Sequence, residues 1–166
     1  MEEIAFNKFY NQYKKFIWNL TSKYFQDNFS REDVFQEVFL KIYIYYQEQN
    51  FNSTPELQVW LYRITINTAI NYFKKFKRAE LLKKIFFLNK QVVIEDTNKE
   101  DDEAINYILS PLNARQKAVV ILRECENLSY IEISKIMNMK HGTVKSTLNR
   151  AKVKMKIFLQ GGQSVL

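Results

Sequence analysis

The scarcity of glycine and proline constrains the fold of this chain more than any other feature. Its 166 residues include only three Gly and two Pro, too few for the turns of a hairpin-rich or sandwich protein. Apolar residues recur instead at intervals of three and four positions, and no strand-like alternation persists. The sequence therefore predicts an all-α fold.

Composition excludes several classes of function. The single cysteine, Cys125, and the single histidine, His141, cannot form a disulfide framework or a Cys/His zinc site. The three glycines, at positions 142, 161 and 162, fit neither of the familiar glycine-rich nucleotide loops. The acidic N-terminus is unlike a secretory signal, and no apolar run approaches the roughly 20 residues of a membrane span. We expect a cytoplasmic protein with no metal, no cofactor, no membrane insertion and no enzymatic activity.

Charged residues divide the chain into segments of different sign. Residues 1–59 carry 6 basic and 8 acidic side chains, whereas residues 60–90 carry 8 and 1. Residues 91–106 carry 1 and 6, and residues 107–166 carry 10 and 3. Because the acidic segment has no helical apolar stripe, we interpret it as part of an exposed, flexible linker. The predicted organisation is two small helical domains: an N-terminal helix bundle over 1–78, an acidic linker over 79–106, and a helix-turn-helix domain over 107–160.

Capping residues predict where several helices begin. Ser30 is followed by acidic residues and is expected to be the N-cap of the second helix. Thr54 precedes Pro55, a pair that favours the start of a third helix. Ser110 and Pro111 are expected to begin the first helix after the linker.

The sharpest local pattern predicts a helix-turn-helix near the C-terminus. Ser129 and Glu132 fit a capping box that opens a short helix, and Gly142 is expected to supply permissive backbone angles to the turn. The next helix has an apolar inner face and a basic outer face, which is typical of helices that enter the DNA major groove. An αα-hairpin with a solvated basic face is the alternative. The outer face includes Lys145, Ser146, Asn149 and Arg150.

A second polar stripe is predicted on the helix that covers residues 60–78. Its members recur at intervals of four, four and three, so they share one face. Arg and Asn have the donor and acceptor geometry for base edges, and Lys suits phosphate. A solvated outer face explains the spacing equally well. The stripe consists of Arg63, Asn67, Asn71 and Lys74.

Three blocks of the sequence resemble sigma factors of bacterial RNA polymerase. The block Asp33–Tyr43 resembles the helix that binds the clamp coiled coil of the polymerase. The block Trp60–Lys75, which begins WLYRI, resembles the helix that recognises the minus-ten promoter element. The block Leu112–Ala151, with LSYIEI and GTVKSTLNRA, resembles the domain that binds the minus-thirty-five element. The blocks keep the order of the family, and the length is similar to that of its extracytoplasmic-function (ECF) type.

The resemblance implies a function and its partners. A sigma factor of this type directs core polymerase to specific promoters, so polymerase core and promoter DNA are expected partners, and an anti-sigma factor is a candidate. Polymerase contacts are implied at Asp33, Gln36, Glu37 and Phe39. Minus-ten contacts are implied at Phe51, Asn52, Ser53, Arg63, Asn67, Asn71 and Lys74. Minus-thirty-five contacts are implied at Arg123, Lys145, Ser146, Asn149 and Arg150.

Two alternatives remain open at this point. A stand-alone helix-turn-helix regulator, with an N-terminal domain that senses or dimerises, would bind its operator without polymerase. The richness in Asn, Lys, Phe and Tyr also resembles the sigma factors that drive toxin genes in clostridia. Thr147 stands where members of the family often have Arg, which predicts one strong DNA contact fewer.

Overall fold

The computed structural model describes residues 3–25, 27–45, 54–86, 104 and 107–161. The described part of the chain is helical with short connections and contains no β-strand, which confirms the predicted all-α class. The main elements are α1 (Glu3–Ser22), α2 (Asn28–Tyr45), α3 (Thr54–Phe86), α4 (Ala114–Val120), a π-helical turn (Ile121–Cys125), α5 (Tyr130–Met137) and α6 (His141–Gly161).

Helices α1 to α3 form a bundle because each presents an apolar face to the other two. Ile17 on α1, Val38 on α2 and Ile66 on α3 are completely buried in one core. Aromatic rings extend this core, with Phe39 in edge contact with Phe6 and Phe35 at centroid distances of 6.5 and 4.9 Å. Each fully buried aliphatic side chain contributes about 1.5–3 kcal/mol relative to an exposed one.

The start of α2 differs from the prediction. The helix begins at Asn28, and Ser30 lies within its first turn with only 4% of its surface exposed. Asp27 takes the capping role instead, because its Oδ1 accepts a hydrogen bond of 2.7 Å from the backbone N–H of Ser30. Asp is as good a cap as Ser, so the pattern alone did not separate the two positions.

Helix α3 is a single element of 33 residues, and α2 packs against it. Lys41 on α2 donates to Thr68 on α3 at 3.0 Å, and Tyr72 on α3 donates to Asp33 on α2 at 3.1 Å. The helix continues past residue 78, where the linker was predicted to begin. Residues 87–103, the greater part of that predicted linker, lie outside the described residues.

The helix predicted to start at Ser110 and Pro111 begins at Ala114, three residues after Pro111, and residues 107–109 before it are helical as well. Asn113 and Gln116 form a capping box in which each side chain accepts from the backbone N–H of the other, at 2.9 and 3.2 Å. The Asn-x-x-Gln signal is present in the sequence, but the Ser-Pro pair just before it offers a competing start.

A π-helical turn, Ile121–Cys125, ends this helix. The backbone N–H of Glu126 donates to the carbonyl of Ile121 at 3.1 Å, and that of Leu128 donates to Leu122 at 3.1 Å. Asn127 follows with a left-handed φ of 54°, which an Asn tolerates better than most residues. The π-helical turn therefore sets the direction of the backbone at Glu126, the residue that follows it.

The two halves of the chain pack against each other. Helix α3 contacts both α4 and α5, and buried residues of the two halves belong to one continuous hydrophobic core. The sequence predicted two helical units but offered no local signal for contact between them.

Candidate nucleic-acid interface

The described C-terminal helices form the predicted helix-turn-helix. Ser129 caps α5, accepting at 3.2 Å from the backbone N–H of Glu132 while the Glu132 carboxylate accepts at 2.7 Å from the Ser129 N–H. These hydrogen bonds lower the pKa of Glu132. The turn uses Asn138, which adopts a left-handed φ of 49°. Gly142 was expected to provide that freedom, but it lies inside α6 and no Gly of the described residues has a positive φ.

The first turns of α6 present four predicted DNA-contacting residues together on one exposed face. Val144 and Leu148 are buried on the opposite face and fix the rotation of the helix. Arg150 donates from Nε to the Ser146 carbonyl at 3.3 Å, so its guanidinium lies along this face. The exposed residues are Lys145, Ser146, Asn149 and Arg150.

Thr147 lies on the inner side of α6. It is only 6% exposed, so it makes no part of the exposed face. Members of the family often have Arg at this position, which predicted one DNA contact fewer. In the structure the small side chain of Thr147 packs against the core. An Arg at this point of α6 would have to displace packed neighbours or bend around the helix to reach DNA.

Arg123, the fifth predicted contact of this domain, has a structural role in the arrangement described here. Its guanidinium donates to the Leu128 carbonyl at 2.9 Å and lies 5.1 Å from the centre of the Tyr130 ring. Both contacts lie at the connection that leads into α5. The side chain is half-buried, and its charge stabilises this connection as well as contributing to the basic surface.

On α3 the predicted stripe is exposed along its length. Ile66, Ala69 and Ile70 are buried on the other side of the helix, which turns Arg63, Asn67, Asn71 and Lys74 outward. Arg63 also reaches the C-terminal half, where it donates to the Lys135 carbonyl on α5 at 2.6 Å. The remaining minus-ten residues of the prediction, Phe51, Asn52 and Ser53, lie outside the described residues.

The four residues predicted to contact polymerase occupy different environments on α2. Gln36 and Glu37 are exposed, and Glu37 is paired with Lys41. Asp33 is half-buried and accepts a hydrogen bond from Tyr72. Phe39 is only 6% exposed and belongs to the core of the bundle, so it supports the surface of α2 from below. The exposed apolar side chains on this helix are Leu40, Tyr43, Ile44 and Tyr45, with Phe29 near its start.

One carboxylate joins the two halves. Glu126, which comes directly after the π-helical turn, forms an ion pair with Lys23, directly after α1, and accepts a 2.8 Å hydrogen bond from the hydroxyl of Tyr62 on α3. Burial and this carboxylate raise the pKa of Tyr62. We call these three residues, Lys23, Tyr62 and Glu126, the Glu126 bridge.

A buried lysine lies in the same interface. Lys117 on α4 is 6% exposed, donates to the Tyr24 carbonyl at 2.7 Å and lies 5.7 Å from the centre of the Phe73 ring. Burial, with repulsion from Lys77, lowers the pKa of Lys117 to about 8. The charge is therefore held in the interface at a cost in hydration free energy.

Comparison with known proteins decides the family. The profile of sigma-70 region 2 matches residues 9–79, and that of sigma-70 region 4 matches residues 102–155. The ECF RNA polymerase sigma-E factor of Haemophilus influenzae is 31% identical over 168 aligned positions, which cover 89% of this chain and 84% of that protein. This chain is an ECF sigma factor. The Escherichia coli K12 sigma-E factor is also 31% identical, with 91% and 84% covered, and the Bacillus subtilis sigma factor SigZ is 28% identical, with 78% and 73% covered.

Solved structures share the fold of this sigma factor. The sigma factor RpoE of Bartonella quintana, solved with the anti-sigma factor NepR, superimposes with a TM-score of 0.67 at 19% identity, covering 94% of this chain and 97% of that one. CnrH, solved with the cytosolic domain of CnrY, gives 0.66 at 17% identity, covering 96% and 90%. Both superpositions cover the N-terminal and the C-terminal half, and at these identities the likeness concerns the fold.

Sequence reasoning on this sigma factor missed the residues that join its halves. Lys23 and Glu126 are 103 positions apart, and the pattern on α3 gave Tyr62 no partner in the other half. Lys117 was part of a recognised block but carried no predicted role. No short-range pattern could have paired these residues, because the pairing depends on how α3 packs against α4 and α5.

The described residues contain no group of His, Cys, Asp and Glu side chains that could hold a metal ion. Cys125 is half-buried, and burial raises the pKa of its thiol, which makes it a poor nucleophile near neutral pH. None of the described helices combines the length and the apolarity that crossing a membrane requires.

Proposed function

We propose that this sigma factor recruits core RNA polymerase to promoters through two DNA-binding surfaces and one polymerase-binding surface. The observation that carries the proposal is the exposed face of α6, where Lys145, Ser146, Asn149 and Arg150 lie together at the start of a recognition helix. A helix presented in this way suits the major groove, with polar side chains toward base edges and basic ones toward phosphates. We assign this face to the minus-thirty-five element.

The exposed stripe on α3 is assigned to the minus-ten element. Its Arg and Asn side chains suit base edges, and Lys74 suits phosphate. The proposal also assigns Phe51, Asn52 and Ser53 to this surface, as the resemblance to the family implies. Capturing an unstacked base there would offset part of the free energy needed to open the duplex.

The polymerase-binding surface is assigned to α2. Gln36 and Glu37 are exposed there beside Leu40 and Ile44, which are 59% and 51% exposed. Exposed apolar side chains next to polar ones are typical of protein-binding surfaces. An anti-sigma factor is a candidate competitor for the same surface. RpoE was solved with the anti-sigma factor NepR, and CnrH was solved with the cytosolic domain of CnrY. The proposal places the protein in the cytoplasm and leaves nucleotidyl transfer to the polymerase.

The sigma factor assignment is favoured over a stand-alone regulator because the N-terminal half matches sigma region 2. The relatives at 31% identity are ECF sigma factors, so the toxin-gene subgroup is not favoured either. Run-off transcription with core polymerase on DNA fragments of the source genome tests the function. Stimulation from discrete start sites is expected, and no stimulation on any fragment would refute the proposal.

Lys145→Ala tests the assignment of α6. It should weaken binding of the holoenzyme to duplex DNA that carries an active promoter, and reduce the slope of log affinity against log salt concentration by about one. Lys15→Ala on α1 is the matched control, because it removes the same charge from an exposed helical position in the other half. Equal effects of the two substitutions would show that α6 contributes only net charge.

A further inference from the structure

The exposed face of α6 has a centre and two edges. Successive residues of an α-helix lie about 100° apart around its axis. Lys145 and Arg150 are therefore about 140° apart, and Ser146 and Asn149 lie between them. The side chains buried on the opposite side of the helix are Val144, Thr147, Leu148 and Ala151. The two uncharged polar residues thus occupy the centre of the face, and the two cations occupy its edges.

Ser146 and Arg150 are engaged with the helix itself. The hydroxyl of Ser146 donates to the Thr143 carbonyl at 3.1 Å. Arg150 donates from Nε to the Ser146 carbonyl at 3.3 Å and from Nη2 to the Ser146 hydroxyl at 3.5 Å. The guanidinium is thereby directed along the edge of the face. Cations at the edges of a helix in the major groove are placed to contact the phosphates that flank it.

Asn149 is exposed and makes no hydrogen bond within the described part of the chain. Its amide group presents an acceptor oxygen and an N–H donor side by side. Adenine presents the complementary pair in the major groove, an acceptor at N7 and a donor at the N6 amino group, whereas guanine presents two acceptors. Lys145 is also unpaired there, but its ammonium group has donors only. Asn149 is therefore the residue of this face that suits adenine.

A short Asn side chain reaches a base only when the helix lies deep in the groove. Asn149 is about 12 Å along the axis from His141, where α6 begins, and the major groove is about 12 Å wide. Gly142, in the first turn, lies within about 20° of Asn149 around the axis. A Cβ added at Gly142 would meet no atom of the described residues within 4 Å, so packing does not require a glycine. The missing side chain leaves room for DNA to approach the backbone of α6.

We infer that Asn149 determines base specificity at α6 by pairing with one adenine of the minus-thirty-five element, while Lys145 and Arg150 hold the helix by phosphates on either side. The inference names the base read at this surface, and it rests on the proposed function for the assignment of α6 to that element. Any other base leaves the donor or the acceptor of the Asn149 amide unmatched. One position of the element should therefore prefer adenine by about tenfold.

Selection of binding sites by the holoenzyme tests this inference. Promoter fragments that are active in the run-off assay are randomised over the minus-thirty-five element, and the duplexes retained by the holoenzyme are sequenced. The native protein should enrich adenine about tenfold at one position. Asn149→Ala should lose this enrichment and keep the preferences at the other positions. Asn149→Arg should enrich guanine at the same position, because Arg pairs bidentately with O6 and N7 of guanine.

Lys145→Ala is the matched control, because Lys145 lies one turn before Asn149 on the same exposed face. It should weaken binding to all sequences alike and leave the adenine preference unchanged. Thermal melting followed by circular dichroism should give equal midpoints for the native protein, Asn149→Ala and Lys145→Ala, since both side chains are exposed.

Retention of the adenine preference by Asn149→Ala would overturn the inference, and so would its loss in Lys145→Ala. In either case a native holoenzyme that still selects sequences leaves the proposed function standing. A native holoenzyme that selects no sequence beyond those retained by core polymerase alone would instead refute the proposed function, and the base assignment with it.

Discussion

Replacing Lys117 by Met should remove a pH dependence that the buried lysine imposes on stability. Lys117 is 6% exposed, and burial followed by repulsion from Lys77 lowers its pKa from 10.5 to about 8. Each unit of difference between the folded and unfolded pKa is about 1.4 kcal/mol. Near neutral pH the protonated lysine therefore costs the folded state about 3 kcal/mol.

The sign depends on the direction of the shift. Below about pH 8 Lys117 is protonated in both states, and the full cost is present. Between about 8 and 10.5 the folded protein has lost this proton and the unfolded chain still holds it, so unfolding takes up a proton and stability rises with pH. From pH ~7 to ~9.5 the gain from Lys117 is about 2 kcal/mol.

Urea denaturation followed by circular dichroism at several pH values measures this gain as the difference between the native protein and Lys117→Met. Burial raises the pKa of Cys125 and of Tyr24, and both groups lower stability as their unfolded forms ionise. The comparison is therefore made up to pH ~9.5, below the ordinary tyrosine pKa of about 10, because Tyr24 contacts Lys117 and its contribution need not be the same in the two proteins. Lys15→Met, at an exposed position of α1, controls for the loss of a positive charge. Parallel pH profiles for the native protein and Lys117→Met would refute the burial of a charged lysine in the interface.

Two local features of the helix-turn-helix give further predictions. Ser129→Ala should lower the free energy of unfolding by about 1 kcal/mol, because the N–H of Glu132 loses its capping oxygen; a thermal midpoint within error of the native value would contradict the cap. Asn138→Ala should lower stability by about 1 kcal/mol and Asn138→Gly should leave it unchanged or raise it, because the residue has a φ of 49°. Denaturant titration of both variants checks this, and equal losses would exclude the left-handed turn.

Features of this fold that depend on residues close together in the sequence are predicted better than those that depend on distant residues. The all-α class and the helix-turn-helix are predicted by periodicity, and the Ser129 capping box is predicted by four adjacent residues. The starts of α2 and α4 were misplaced because two capping signals lay close together in each case. Gly142 and Asn138 were likewise two close candidates for the left-handed residue of the turn, and the structure has the positive φ at Asn138.

Burial was harder to predict on helices whose apolar residues cover more than one face. On α2, Phe39 is buried while Tyr43, one turn further along, is 49% exposed, although the two belong to the same apolar row. The difference depends on neighbours from α1, which are Phe6 and Tyr10 for Phe39 and Phe6 for Tyr43, and the pattern on α2 does not contain them. The Glu126 bridge is the extreme case, since it joins Tyr62 of α3 to the residues that directly follow α1 and the π-helical turn.

The π-helical turn has a consequence for how this part of the chain tolerates changes in length. Such a turn accommodates one residue more than an α-helix of the same rise, and each residue added to a helix rotates the next part of the chain by about 100°. Glu124, inside the turn, reaches Lys152 of its own half, whereas Glu126, just beyond it, reaches the other half. Substitutions in Ile121–Cys125 keep the number of residues in the turn, and so they leave the direction of Glu126 unchanged. The loss or gain of a single residue rotates Glu126 away from its partners. The number of residues in the turn therefore sets the direction in which Glu126 points. A homologue that lacks one residue at this turn does not bring its glutamate to the other half, even where it keeps every side chain of the bridge.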